Sequence, residues 1–151
     1  MSNITPCLWF DTQALDAANY YVALFPNSGI HNISYYDAEQ TKVMVVDYTL
    51  DGNKFMGING WPMYIHSPAI SFVVPCKTQA EVDQYWDILT ADGGKESQCG
   101  WLTDKFGISW QITPDALMDL MSKDTSGRVM QAMLGMKKII IADLEKAYNW
   151  K

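Results

Sequence analysis

The sequence is poor in the groups that mark metal sites, disulfide frameworks and nucleic-acid-binding surfaces. It has two histidines and three cysteines, and no two cysteines form a Cys-x-x-Cys pair. A disulfide framework and a thiolate metal site are therefore not expected, and the expected compartment is a reducing cytoplasm. Lys and Arg number 11 against 17 Asp and Glu, a net charge of −6. This charge disfavours nucleic acid and anionic membranes as partners.

Long apolar runs are missing too. No segment approaches the roughly 20 apolar residues of a membrane helix. No basic segment followed by an apolar run opens the sequence, so no signal peptide is expected. The chain is nevertheless rich in apolar residues, which make up 48% of its 151 positions. That fraction is enough for the packed core of one domain or of two half-size modules.

Two parts of the chain repeat the same order of predicted elements, a strand, an amphipathic helix and then further strands. The tripeptide Thr-Gln-Ala at residues 12–14 recurs at 78–80, and the aromatic pair at 20–21 recurs at 85–86. The repeat predicts two copies of one βαβββ unit. Strands are predicted at 4–10, 30–36, 43–50, 54–59, 69–75, 95–102 and 108–113.

The predicted fold class is α+β, in a single domain. Module one spans residues 3–60, module two spans 69–113, and a helical tail spans 114–151. The tail helices are too short to be stable alone, so they must pack on the sheet or on a partner. They are predicted at 116–121, 126–136 and 140–148.

The starts of the helices have recognisable signals. Asp11 is a good N-cap for a helix at residues 12–25. Thr78 and Glu81 fit a capping box, in which the Thr78 side chain bonds the backbone N–H of Glu81 and the Glu81 side chain reaches back toward the start of the helix. Pro114 is expected at the first helical position of the tail, after Thr113 as the cap.

The strand at residues 108–113 alternates apolar side chains with Ser109, Gln111 and Thr113. Alternation with a period of two places the two sets on opposite faces of a sheet. A polar face with an amide at its centre suits the wall of a small-molecule pocket. An ordinary solvated face is the alternative interpretation.

Several separated segments resemble the PhnB-like family. They are ITPCLWFDTQALDAANYYVALFPNSGI, AISFVVPCKTQAEVDQYW, QCGWLTDKFGISWQITP and RVMQAMLGMKKIIIADLEKAY. That family lies within the vicinal oxygen chelate superfamily, with glyoxalase I, bleomycin-resistance proteins and extradiol dioxygenases. The resemblance implies paired βαβββ modules whose curved mixed sheets enclose a cavity, and a homodimer.

Members of the family often carry the label 3-demethylubiquinone-9 3-methyltransferase. A methyl donor such as S-adenosylmethionine is usually held by a glycine-rich turn between a strand and a helix. The sequence has no such turn, so methyl transfer is not expected from its chemistry.

The resemblance also locates the superfamily's metal position. In the metal-dependent relatives, inward-facing His or Glu side chains come from the first and fourth strands of each module. The matching positions here are residues 4–6, 55–59, 69–71 and Gln111, and none is His, Asp or Glu. A neutral amide cannot hold a divalent ion alone. We therefore expect neither a metal nor another cofactor.

Further candidate residues surround the expected cavity. Trp61 and His66 lie in the loop after the fourth strand, where they could line a pocket mouth, and a solvated loop is the alternative for His66. Either Asn59 or its neighbour Ile58 faces the cavity, because a one-residue slip in register reverses the faces. Asp47 is a base if it faces inward and merely solvated if it faces outward.

Three functional hypotheses follow. In the first, a dimeric, metal-free cavity protein binds a small organic molecule through Gln111, flanked by Ser109 and Thr113. In the second, an enzyme acts on a small aromatic or quinone-like substrate with His66 or Asp47 as the acid–base group. In the third, a structural or regulatory dimer fills its cavity with side chains. No reaction is identified by the sequence.

Overall fold

The computed structural model of the chain describes residues 4–150 and shows an α+β protein with two four-stranded mixed sheets and five helices. The predicted fold class is confirmed. Residue 3, predicted to open module one, and residue 151, predicted to close the tail, lie outside the described residues. The chain divides into two compact units, one up to Ile65 and one from His66.

The first unit contains sheet 1 and one helix. Its strands lie in the order β1-β4-β3-β2, and β1 runs parallel to β4 while the other pairs are antiparallel. Asp51 and Gly52 both have positive φ, which suits the tight hairpin turn predicted between β3 and β4. The elements are β1 (Cys7–Phe10), α1 (Ala14–Leu24), β2 (Gly29–Tyr35), β3 (Val43–Leu50) and β4 (Asn53–Asn59).

The second unit repeats this topology. Sheet 2 has the strand order β5-β8-β7-β6, with β5 parallel to β8. The same order of elements in both units confirms the internal repeat seen in the sequence. The elements are β5 (Phe72–Cys76), α2 (Gln79–Leu89), β6 (Lys95–Glu96), β7 (Trp101–Thr103) and β8 (Ser109–Pro114).

The prediction of one continuous strand at 95–102 was wrong. The backbone leaves the sheet between β6 and β7, because Cys99 and Gly100 adopt positive φ values of 59° and 82°. Their backbone N–H groups donate instead to the carbonyl oxygens of Met136 and Lys137, at 2.8 and 2.7 Å. These hydrogen bonds to the tail replace the strand pairing that Cys99 and Gly100 would make in a continuous strand.

The two repeated helices start differently. The capping box of α2 is confirmed, since Thr78 Oγ1 accepts the Glu81 N–H at 3.2 Å and Glu81 Oε2 accepts the Lys77 N–H at 2.6 Å. The prediction that Asp11 caps α1 was wrong. The N-cap is Gln13, whose side chain makes no capping bond.

The tail forms a small helical cluster, with α3 at Asp115–Lys123, α4 at Arg128–Leu134 and α5 at Ile141–Tyr148. The prediction of Thr113 as the cap of α3 and Pro114 as its first residue was wrong, because Pro114 is the N-cap and the helix begins at Asp115. Within the second unit, Gln79 of α2 joins this helix to the tail, because its Nε2 donates to the Ile139 carbonyl at 3.1 Å and its Oε1 accepts the Ile141 N–H at 2.8 Å. The cluster is centred on four buried residues, Leu117, Val129, Ile139 and Leu144.

Methionines fill the edges of this cluster. Met121, Met133 and Met136 pack against it, as core filler, whereas Met130 is 47% exposed. Within the described residues, each helix is too short or too polar to cross a bilayer.

Candidate functional site

The predicted polar strand is β8, and its alternation is confirmed. Trp110 and Ile112 are buried, at 3% and 0% exposure. Ser109, Gln111 and Thr113 alternate with them and project from the opposite face of the strand. We call these three residues the polar face of sheet 2.

Gln111 is the centre of this face. Its Nε2 donates to Ser71 Oγ at 2.9 Å, across the parallel β5–β8 pair. Its neighbours in register are Val73 on β5 and Trp101 on β7. The amide therefore lies between an apolar and an aromatic side chain, with one of its N–H groups already engaged.

Ser109 is the unusual member of the polar face. Its side chain is 3% exposed, and its hydroxyl has no hydrogen-bond partner within residues 4–150. A buried polar group without a partner costs about 1–3 kcal/mol. Such a group calls for an explanation, and a bound molecule or water that completes its hydrogen bonds is one.

Asp104 holds the turn that sets up this strand, a role that the sequence reasoning missed. It is 2% exposed, and its Oδ1 accepts the backbone N–H groups of Phe106 and Ile108 at 2.8 and 3.1 Å. Its Oδ2 accepts the Trp110 indole N–H at 2.8 Å. The Asp-x-x-Gly pattern at 104–107 was the available signal, because Asp at the start of a turn bonds backbone N–H groups two residues on.

A pocket of about 610 Å³ lies in the first unit, at the end of sheet 1 where β1, β2 and β4 finish and β3 begins. We call it the end pocket. It includes two of the predicted ligand-binding residues, Asn59 and Trp61. The lining residues are Asp11, Thr12, Tyr36, Thr41, Lys42, Val43, Asn59, Gly60 and Trp61.

Asn59 has a structural task in this pocket. Its Oδ1 accepts the N–H of Ala14 at 2.8 Å, which caps α1, and its Nδ2 donates to the carbonyl of Val43 at 3.1 Å. It shares a face of β4 with Gly57, which lets α1 approach closely, and Ile58 points to the other face. Both ends of the Asn59 amide are thus engaged inside the first unit, and contact with a ligand stays a prediction.

Trp61 presents its ring to solvent while its backbone is held. The side chain is 66% exposed, and its carbonyl accepts the Trp9 indole N–H at 2.7 Å. The Gly60 N–H donates to the Phe10 carbonyl at 2.9 Å, which continues the β1–β4 pairing. The start of the loop that carries Trp61 is therefore held to β1 by two hydrogen bonds.

Gly60→Ala is expected to lower the free energy of unfolding by about 1–3 kcal/mol, as overpacking does. A Cβ at this position would lie 1.9 Å from Trp9 Cζ2, so the indole must move. Urea unfolding measures the loss. Gly29→Ala is the control, because nothing lies within 4 Å of its Cβ. Equal stability of the two variants would show that Trp9 does not pack against Gly60.

The remaining predicted residue, His66, is half-buried at the start of the second unit. Asp47 lies on β3 in register with Met56 and Asn32, and it is half-buried. Asn32 Nδ2 donates to Asp47 Oδ2 at 3.4 Å. The face of β3 that carries Asp47 is opposite to that of the buried Val46.

The cysteines are free thiols. Burial raises the pKa of Cys7, and the nearby charge of Asp47 raises it further. Burial raises the pKa of Cys76 to about 12, with smaller effects from Glu81 and Asp115. Since the thiolate is the reactive form, both are poor nucleophiles at neutral pH. Across residues 4–150, no three His, Cys, Asp or Glu side chains are grouped as a metal ion would require.

One protein family matches most of the chain. Its model, described as 3-demethylubiquinone-9 3-methyltransferase, matches residues 2–113. The chain belongs to this family. The match includes both βαβββ units and ends before α3, so the tail helices lie beyond it. A comparison with curated proteins found no match.

Solved structures agree with this assignment. A putative 3-demethylubiquinone-9 3-methyltransferase, the PhnB protein from Bacillus cereus, is 34% identical with a TM-score of 0.68, over 75% of this chain and 99% of that one. Protein PA1353 from Pseudomonas aeruginosa is 17% identical with a TM-score of 0.62, over 76% and 98%. The fosfomycin resistance protein FosX from Listeria monocytogenes is 12% identical with a TM-score of 0.57, over 78% and 94%.

These likenesses confirm the predicted membership of the vicinal oxygen chelate superfamily. The structures of PA1353 and FosX, at 17% and 12% identity, show a shared fold and nothing further about this chain.

Proposed function

We propose that this protein binds a small organic molecule, without a metal, on the polar face of sheet 2. The observation that carries the proposal is the buried Ser109 hydroxyl with no partner in the described part of the chain. A ligand with a hydrogen-bonding group beside Ser109 would recover the cost of that burial, about 1–3 kcal/mol.

Gln111 would supply a second bond to the ligand. A side-chain amide offers two donors and an acceptor, and the bond to Ser71 uses one donor. Val73, which is 57% exposed, and Trp101 provide apolar contact on either side of it. Thr113 would flank the ligand on β8. Sites for small molecules commonly combine such apolar walls with a few well-placed polar groups.

Binding is a better account of this geometry than methyl transfer. The strand-to-helix connections, residues 11–13 and 77–78, contain no glycine. The sheets are mixed, with the order β1-β4-β3-β2 and its repeat, rather than doubly wound and parallel. A nucleoside cofactor is usually bound at the switch point of a parallel sheet.

The proposal includes a homodimer in a reducing compartment such as the cytoplasm. The free thiols of Cys7, Cys76 and Cys99 are compatible with that compartment. His66, the first residue of the second unit, is proposed to contribute to ligand binding from the loop after β4.

The test is thermal-shift screening against aromatic metabolites and antibiotics, with and without Mn²⁺, Zn²⁺ or a chelator. Gln111→Leu should abolish the shift given by the best compound, whereas the exposed Gln131→Leu should keep it. A shift unchanged in Gln111→Leu, or one that requires the metal, would contradict the proposal.

Ser109→Ala should change the stability of the free protein and the stabilisation by the compound in opposite directions. Removing the unsatisfied hydroxyl should raise the stability of the free protein by about 1 kcal/mol. It should also reduce the stabilisation by the compound. If Ser109 had only a structural role, its substitution would lower the stability of the free protein as well as the stabilisation by the compound. Melting curves with and without the compound therefore separate a ligand-binding role from a structural one.

A second candidate function is favoured by Asp47, whose half-buried carboxylate lies beside Asn32 on sheet 1. In this alternative the protein is an enzyme acting on a small aromatic or quinone-like substrate. Mass spectrometry of the screening compounds after incubation should then show a product that Asp47→Asn or His66→Gln fails to form.

A further inference from the structure

We infer that the end pocket of sheet 1 is a separate site for a small aromatic carboxylate, held by the ammonium group of Lys42 and the rings of Trp61 and Tyr36. This goes beyond the proposed function, because all of its lining residues belong to the first unit while the polar face belongs to the second.

The walls of the end pocket are held by hydrogen bonds before any ligand arrives. Tyr36 Oη donates to the Asn59 carbonyl at 2.7 Å, which joins the end of β2 to the end of β4. The Asn59 side chain ties β4 to α1 and β3, and the Trp9 indole N–H holds the Trp61 carbonyl. A pocket with such fixed walls loses little entropy on binding.

The turn that carries Lys42 is fixed as well. Asp37 Oδ1 accepts the backbone N–H groups of Thr41 and Lys42, at 3.0 and 2.8 Å. The Thr41 hydroxyl donates to the same carboxylate, and these hydrogen bonds hold the pKa of Asp37 below its usual range. The turn therefore keeps its shape across the physiological pH range.

The charge of Lys42 is available to a ligand. Among the described residues its ammonium makes no salt bridge, not even with Asp11, which lines the same pocket. Asp11 precedes Gln13, the N-cap of α1, by two residues, and the helix dipole favours negative charge near that end. An ammonium group is a point charge that pairs well with a carboxylate.

The rest of the pocket suits an aromatic body. Trp61 and Tyr36 are exposed, at 66% and 53%, although both have large apolar rings. Val43 and the side-chain-free Gly60 complete the wall. The volume of about 610 Å³ lies within the range of small-molecule sites, roughly 300–1,000 Å³. A fused two-ring carboxylate therefore fits both the space and the charge.

The probes are 2-naphthoate and its neutral counterpart 2-naphthamide, titrated calorimetrically at low salt. The full chain should bind naphthoate about five-fold tighter than naphthamide, as a partly exposed charge pair allows. Lys42→Met should reduce this ratio to about one. Lys54→Met, at the opposite end of β4, is the matched control and should keep the ratio.

Trp61→Ala tests the aromatic wall. It should weaken both probes about five-fold, because stacking does not depend on the charge. The Trp9 hydrogen bond goes to the Trp61 carbonyl, so the substitution leaves that anchor in place. Trp150→Ala removes a similarly exposed indole, 62% against 66%, and should change neither affinity.

Gln111→Leu separates this site from the one on sheet 2. It should leave naphthoate binding unchanged, whatever becomes of the screening compound. Equal affinities of the two probes for the unaltered protein, a charge preference that survives in Lys42→Met, or loss of naphthoate binding in Gln111→Leu would each overturn the inference.

Discussion

Asp104→Ala should lower the free energy of unfolding by about 3–4 kcal/mol, among the largest effects expected of a single substitution in this chain. The variant leaves three donors, the N–H groups of Phe106 and Ile108 and the Trp110 indole N–H, without their carboxylate. Hydrogen bonds to a charged group are worth about 1.5–3 kcal/mol each, and buried donors without partners cost more than exposed ones. Far-UV circular dichroism during urea unfolding measures the loss.

Two further variants make this result specific. Asp104→Asn keeps an oxygen for the backbone N–H groups but turns an NH₂ group toward the Trp110 indole, so its loss should be intermediate. Asp119→Ala removes an exposed carboxylate that forms a 2.8 Å ion pair with Lys123, worth roughly 0.3–0.5 kcal/mol. A loss in Asp104→Ala no larger than in Asp119→Ala would mean that the turn does not depend on Asp104.

Asn59→Ala should cost about 2–3 kcal/mol, the sum of a lost helix cap and a lost buried bond to a strand carbonyl. The two bonds are those to the Ala14 N–H and the Val43 carbonyl. Asn59→Asp should lose less, because it keeps an acceptor at the N-terminus of α1, where negative charge is favourable.

The repeated fold provides a natural control for Asn59. Thr78→Ala removes the cap of α2, the helix of the second unit that corresponds to α1, and it breaks one hydrogen bond to the backbone, that of the Glu81 N–H, instead of two. It should cost about 1 kcal/mol. If both variants unfold at the same urea concentration, the bond between Asn59 and β3 contributes nothing.

Much of the fold could be predicted because its signals are local. Apolar periodicity located both βαβββ units, and the Asp51-Gly52 pair located a hairpin, since only a tight turn with positive φ requires such residues. The capping box at Thr78 was found for the same reason, as both partners lie within four residues. Two of the failed predictions, the cap at Asp11 and the continuous strand at 95–102, involve bonds to distant residues.

The candidate sites were less predictable because their residues come from distant parts of the chain. The end pocket is assembled from three separated stretches, residues 11–12, 36–43 and 59–61, and no sequence period relates them. Asn59 was predicted as a cavity residue, whereas its amide caps a helix 45 positions away in the chain. The pattern of β8 did show which side chains share a face, because alternation is a property of the strand itself.

The order of residues was thus sufficient for the duplicated α+β architecture and the polar face of β8, since helix and strand periods depend on neighbours within a few positions. Packing between distant segments decided that Ser109 is buried without a partner, that Asn59 serves α1, and that Lys42, Tyr36 and Trp61 surround one pocket. Burial and hydrogen-bond partners depend on what the folded chain brings together, and local sequence does not contain that information.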